Sequence, residues 1–258
     1  MRFEHALRTA TSAAATLAVI VASSHAMATT RTYPGAAPCD TTLQACADGA
    51  GAGDTIQIAS NGVIAEFVTT DKTLTFEPAA GFTPTVEGIF AVATTVDVAL
   101  TVQNLALNGV RVVLAPGGGN LTLTARNNVI DSSSFDDAIN ASAGTGAPGP
   151  YGTLTVVAQD NVISQSGGPG NCASGIGISG VPARFVATVT GNRITLDNLY
   201  QCGGIDAVIG GTSATVSTAT IDRNEIRGTA FDFGIEVRNF GTNPGETPGT
   251  LGATGTDN

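Results

Sequence analysis

Two carboxylates and a guanidinium stand in matching places along the second half of the chain. The segment "GIDAV" carries Asp206, and "GIEVR" carries Glu236 with Arg238 two residues further on. Each acid follows an isoleucine, Ile205 or Ile235. On a strand, successive side chains point to opposite faces, so an inward Ile turns the next residue outward. If the two segments stack as neighbouring parallel strands, the acids lie about 5 Å apart at the backbone. Two carboxyls about 5–10 Å apart, one of them holding its proton, cleave glycosidic bonds. The same oxygens, Asp206 and Glu236 together, are candidate ligands for calcium, an oxygen-seeking cation. The plainest alternative is a solvated pair of acids neutralised by an arginine, and the sequence favours it.

The outward row through these acids continues to Asn140 and Gly177, using the matching isoleucines Ile139 and Ile176. Two positions along, the outward row reads Ser142, Ser179, Val208 and Arg238. Asp136, Asp137 and Asp232 lie close by in sequence, as do the aromatics Phe135, Tyr200, Phe231 and Phe233. Exposed aromatic faces stack on sugar rings, but such residues more often fold loops down onto a core. The chain has no Trp and three Tyr, which weakens the sugar-stacking case. The Gly-rich stretches 144–152 and 166–175 are expected either to wall a groove or to serve as slack connections.

Composition removes several alternatives. Both histidines, His5 and His25, fall in an N-terminal stretch with basic Arg2 and Arg8, an apolar run "AAATLAVIVA" and the small-residue site Ala26-Met27-Ala28. That stretch reads as a signal peptide over residues 1–28, with an apolar run too short for a membrane span of about 20 residues. Its removal would leave no histidine for a Ser-His-Asp triad, a His-ligated zinc or a His general base. The one lysine, Lys72, follows Asp71 and cannot be the lysine of a P-loop. A formal charge of −10 repels phosphate backbones, so no nucleic-acid partner is expected. No later segment is apolar enough to span a membrane. The expected location is outside the cytoplasm: secreted, periplasmic or at the cell surface.

What must position the acids is a repeat. "LTLTARNNVID", "LTVVAQDNVIS", "FVATVTGNRIT" and "VSTATIDRNEIRG" carry Asn128, Asn161, Asn192 and Asn224, at spacings of 33, 31 and 32 residues. An Ile follows two residues after each Asn, and apolar or small residues lie three and five before it. A further copy is expected upstream with Gln103 in the Asn slot, and "GIFAV" at Ile89 repeats the third strand. Each unit therefore holds three short strands and no helical periodicity. One such coil cannot bury its own inward residues, whereas a stack can. Asn tolerates the left-handed backbone of a tight corner, and a column of Asn can hydrogen-bond from rung to rung. A β-sandwich of hairpins is the structural alternative, but its turns would more often read Asn-Gly or Asp-Gly.

Four cysteines in an exported chain predict two disulfides. Cys172 follows Asn161 by 11 residues and Cys202 follows Asn192 by 10. Nearly equivalent slots on neighbouring coils bring Cα atoms within the roughly 4.4–6.8 Å a disulfide needs. The expectation is Cys172–Cys202 as an inter-coil staple and Cys39–Cys46 as a local tie.

The pattern resembles the right-handed parallel β-helix of the pectin-lyase-like superfamily. The entry "TTLQACADGAGAGDTIQIASNGVIAEF" is similar to its usual start, a short capping helix followed by Gly-Asp-Thr-Ile opening the first strand. The resemblance covers roughly residues 41–240 and is specific for fold, not function. It implies an all-β, right-handed solenoid of about six coils with a short N-terminal capping helix. The domain would span 29–240, and a Gly/Pro-rich tail, 241–258, is expected to be flexible. The last coil is then expected to be covered by a partner or by further sequence. In such a family, calcium holds an acidic sugar and an arginine removes the adjacent proton, which makes Arg238 a candidate base. No family catalytic motif aligns: "SSSFDDAI" has paired Asp but mismatched flanks. The functional expectation is therefore an exported, non-catalytic protein of the envelope or extracellular space that binds a glycan surface. The alternative is a polysaccharide lyase or glycoside hydrolase acting on an acidic polysaccharide.

Overall fold

The computed structural model describes residues 27–132, 137–144, 149–166, 173–180, 183–196, 201–210, 216–228, 231–240 and 250–256. It opens with strand β1 (Thr30–Tyr33) and helix α1 (Leu43–Gly49). Two turns of two strands follow: β2 (Thr55–Ile58) with β3 (Val63–Thr70), then β4 (Leu74–Pro78) with β5 (Thr85–Ala93). Each later turn has three strands. The first is β6 (Val98–Gln103), β7 (Ala106–Leu107) and β8 (Val110–Leu114), then β9 (Leu121–Arg126), β10 (Val129–Ser132) and β11 (Ile139–Ala143). Next come β12 (Thr153–Gln159), β13 (Val162–Gln165) and β14 (Ser174–Ser179), then β15 (Arg184–Thr190), β16 (Arg193–Leu196) and β17 (Gln201–Gly210). The last full turn is β18 (Val216–Asp222), β19 (Glu225–Gly228) and β20 (Phe231–Phe240), and β21 (Thr250–Thr256) follows it.

Every pairing is parallel, and every partner comes from a neighbouring turn. A nine-stranded sheet runs β1-β2-β4-β6-β9-β12-β15-β18-β21. The other strands form a twelve-stranded sheet that folds back on itself at β5. The start of β5 pairs with β7 (Thr85 with Ala106), and its end pairs with β8 (Ile89 with Val110). From β7 onward those two halves are separate rows. The second row is β7-β10-β13-β16-β19, and the third is β8-β11-β14-β17-β20. This all-β, parallel, stacked architecture is compatible with a β-helix or solenoid.

Inward columns explain why the stack holds. Ile130, Ile163, Ile194 and Ile226 lie over one another in the second row. Val110, Ile139, Ile176, Ile205 and Ile235 do so in the third. Leu123, Val156, Ala187 and Ala219 fill the nine-stranded sheet's inner side. Most of these side chains are wholly buried, each contributing roughly 1.5–3 kcal/mol of transfer free energy for the larger aliphatics.

The corner between the first two rows is made by buried asparagines. The backbone N–H and Nδ2 of Asn128 both donate to Asn161 Oδ1, at 3.1 and 3.0 Å. Asn161 donates in the same way to Asn192 Oδ1 (3.1 and 2.9 Å), and Asn192 to Asn224 Oδ1 (3.0 and 2.9 Å). Each Nδ2 also reaches a backbone carbonyl of the turn before: Val102, Ala125, Ala158 and Val189 respectively. All four side chains are at most 3% exposed, so every amide atom needs these partners.

Four expectations change. The left-handed residue of the corner is not the ladder Asn but the one before it: Asn104, Asn127, Asp160, Gly191 and Arg223 have φ between 52° and 66°. The chain reverses there, which frees the following Asn to point inward. Gln103 does not extend the ladder. It pairs in register with Arg126 on the outer face, and Leu105 stands opposite Asn128, donating its N–H to Asn128 Oδ1 at 3.1 Å. The upstream copy was displaced by two residues because its slot holds Leu105, which carries no amide. The tail expected to lack strand pattern contains β21, paired with β18 along seven residues from Val216–Thr250 to Asp222–Thr256. The open edge of β18 supplies the backbone partners that local propensity does not. Seven full turns are present where about six were expected, because the two earliest carry no Asn signal.

At the first end of the stack, Thr42 caps α1 through Ala45 N–H (3.0 Å), and Glu66 accepts from the N–H groups of Leu43 and Gln44. The lysine amine is absorbed here too: Lys72 Nζ donates to the Asp48 and Ala50 carbonyls at the helix's last turn (2.6 and 3.1 Å). The Cys39–Cys46 disulfide ties the helix to the preceding loop. Cys172 and the side chain of Cys202 lie outside the described residues, and so does their expected bridge. Asp54, 4% exposed, locks β1 to the stack. It accepts from Thr29 N–H and Oγ1, Gly51 N–H and Arg31 Nε at 2.8–2.9 Å. Burial alone would raise its pKa, but these four donors together hold the carboxyl well below the usual carboxylate range.

Two outcomes follow. Asn161→Ala strands Asn128 and the Ala125 carbonyl, and it should cost about 2–4 kcal/mol in denaturant unfolding; a change within error would remove the ladder from the stability of the stack. Asp54→Asn should cost about 2–3 kcal/mol at neutral pH. The folded pKa is depressed, so the contribution of Asp54 is complete above the ordinary carboxylate value of about 3.9 and fades as the pH falls below it. The wild-type-minus-variant gap in a pH series of melts should therefore shrink below about pH 4. A gap that stays constant down to pH 2 would contradict this.

Candidate functional site

The acids meet where β17 pairs with β20. Ile205 lies opposite Ile235, Asp206 opposite Glu236, and Val208 opposite Arg238. The inward isoleucines set the phase, and the acids on the next residues come to lie outward and half-buried. The same register extends the row to Gly177, Asn140, Arg111 and Phe90.

Arg238 lies between the two carboxylates. Its Nη2 is 2.7 Å from Asp206 Oδ2, and its Nε is 3.2 Å from Glu236 Oε1. The three side chains are 17–35% exposed, so the ions are partly desolvated. The remaining oxygen, Asp206 Oδ1, is buried without a hydrogen-bond partner among the described residues. One chemical consequence follows. An arginine engaged twice is a positioned cation, and in proteins it does not give up its proton.

The rest of the row is also built. Asp137 accepts from Ser174 N–H and from Asn140 Nδ2, each at 2.7 Å. Its carboxylate leans over residue 177, where a Cβ would displace it. Arg111 lies over the ring of Phe90, 5.7 Å from the centroid. Phe233 covers the backbone of Gly203 and fills the space a side chain there would need. It packs on the stack instead of offering both faces of its ring. Phe135, Asp136 and Tyr200 lie outside the described residues, as do the side chains of Phe231 and Asp232 and most of the two Gly-rich loops. Ser142 and Ser179 stand on neighbouring rungs two positions along, as their spacing implies.

Calcium fits poorly at the acid pair. Two carboxylates supply at most four of the six to eight oxygens the ion usually takes, and Arg238 already occupies the space between them. Among the described residues, no group of three or more His, Cys, Asp or Glu is placed to hold a metal. Clefts among the described residues lie elsewhere: one of about 290 Å3 beside α1 and Lys72, one of about 320 Å3 along the Asn corner by Arg193 and Arg223, and one of about 300 Å3 by Thr30, Arg31 and Cys39. The tightest carboxylate centre, Asp54, escaped sequence reasoning. Its signal was present in "GDTI", but nothing local announces Thr29 and Arg31 as partners. No helix among the described residues is long and apolar enough to cross a membrane.

No family model matches the chain, and no curated protein or solved structure is similar to it at a significant level.

Arg238→Ala leaves two acids facing each other across one rung. The expected cost is about 1–3 kcal/mol, larger than that of Arg193→Ala, whose pair with Glu225 is far more exposed. Equal costs in parallel urea melts would show that the Asp206–Arg238–Glu236 cluster has no special weight.

Proposed function

We propose that the chain is an exported, right-handed parallel β-helix of the pectin-lyase-like kind that binds a glycan surface without cleaving it. One observation carries the non-catalytic reading: Arg238 is already committed to both Asp206 and Glu236, so the three candidate groups engage one another. The outward third row from Arg111 to Glu236 instead offers fixed polar groups at rung spacing, suited to sugar hydroxyls. The stacked parallel turns and the Asn corner support the fold assignment. The Cys39–Cys46 disulfide supports an oxidising compartment, in line with a leader over residues 1–28.

A lyase or glycosidase acting on an acidic polysaccharide is the second reading. Asp206 Oδ1, buried beside Glu236 with no described partner, supports it. The test is incubation with insoluble and soluble, neutral and acidic polysaccharides, with and without calcium. Sedimented protein, unsaturated ends and reducing ends are all measured. Co-sedimentation without release of ends is expected. Release that disappears in Asp206→Ala would replace binding with catalysis, and neither binding nor release would overturn both readings.

A further inference from the structure

The nine-stranded sheet presents a threonine array on its outer face that the glycan reading does not use. Its register places Thr30, Thr55, Thr75, Thr101 and Thr124 on successive rungs. After Val157 the column resumes with Thr188, Thr220 and Thr254. A second column, two residues earlier on the strands from β6 to β18, reads Ala99, Thr122, Thr155, Val186 and Thr218 in turn. From Thr55 to Thr218 these threonines are half-buried by one another, and Thr220 is exposed.

Strand propensity does not account for this. β-branched residues suit every strand, yet the third row's outward column from Thr69 through Phe90 to Glu236 has one threonine, Thr69. The second row's, from Val63 to Glu225, has one, Thr85. The array is also uncharged in a chain of −10. Long polar side chains lie at the borders of the array: on one side Gln57 and Gln103 donate to Glu77 and Arg126 donates to Gln103, and on the other Arg184 donates to the Val216 carbonyl. No aromatic side chain interrupts the two columns among the described residues.

We infer that this face binds the surface of crystalline ice. Threonines repeat about 4.8 Å up the stack and, on β9 and β18, where both columns carry one, about 6.6 Å along the strand. Both repeats approach those of the oxygen lattice on the prism face of ice. Hydroxyls on such a grid can occupy lattice oxygen positions, and the adjacent methyls fit the hollows between them. No register shift occurs anywhere in this sheet, so the grid is rigid in two dimensions and its ordering entropy is met during folding. A neutral, periodic, hydroxyl-and-methyl plane matches a neutral, periodic lattice of water. A crystalline polysaccharide would be better met by aromatic platforms, which the face lacks.

The experiment measures thermal hysteresis, crystal shaping and recrystallisation inhibition with the full-length chain. Thr124→Tyr and Thr155→Tyr are compared with Val129→Tyr, an exposed site on the second row. Melting midpoints check that each variant folds. Ice shaping by the wild type is expected, with a several-fold loss of hysteresis in both threonine variants and retention in Val129→Tyr. The inference fails if the wild type has no effect on ice, or if Val129→Tyr loses as much as the threonine variants. It fails equally if the threonine face retains only crystalline cellulose or chitin, or mediates self-association, with no effect on ice. Loss of glycan binding through the third row would leave this result unchanged, so the two readings fail separately.

Discussion

The amide ladder at the corner between the first and second rows is the constraint on which the stack depends. An asparagine carries one acceptor and two donor hydrogens, and burial leaves none of them without a cost. In this corner Oδ1 of each residue serves the turn before it, while Nδ2 joins the next amide and a backbone carbonyl. Satisfying one amide therefore requires its neighbour to stand on the same rung position. A slip of one residue would turn every inward Ile outward and break the chain of amides at the same time. Register, corner geometry and core are thus a single condition. Leu105 ends the column cleanly: it needs no amide partner, and its backbone N–H accepts the role of first donor.

Charge is used sparingly and mostly as bracing. Asp54 gathers four donors from two segments and ties the first strand to the stack. Lys72 closes the end of α1, and Glu66 sits at its start, each placed where the helix dipole favours its sign. Arg238 joins two turns through two acids. Within a stack each turn is covered by its neighbours, so its ends are where backbone groups and apolar side chains lose theirs. The capping helix, its disulfide and the Asp54 cluster concentrate at one such end. The outer faces differ in chemistry because the backbone leaves them free to: one is a neutral threonine grid, another a row of fixed polar groups.

The legible part of the fold rested on residues whose demand is strong and local. Asn128, Asn161, Asn192 and Asn224 could be aligned by eye, and the inward Ile two places later placed the second row. Ile139, Ile176, Ile205 and Ile235 placed the third, and with it the adjacency of Asp206 and Glu236. Gln103 misled because polarity was used to mark a slot whose true occupant is apolar; the left-handed Asn104 was the better marker. The strand at 250–256 was hidden because Gly-rich sequence has little propensity of its own, and pairing with β18 supplies what the sequence lacks.

The sequence by itself determined the period, the inward and outward phase of each strand, and the cysteine tie close to the helix. These follow from side-chain alternation and local spacing, which do not depend on what lies beyond the next turn. Only the tertiary structure decided that Arg238 bridges both acids, that Asp54 draws on Thr29 and Arg31, and that threonine positions from eight strands stand in one column broken at Val157. Each of these joins residues more than twenty positions apart through the lateral packing of turns, where a shift of a few ångströms separates an ion pair from two solvated charges.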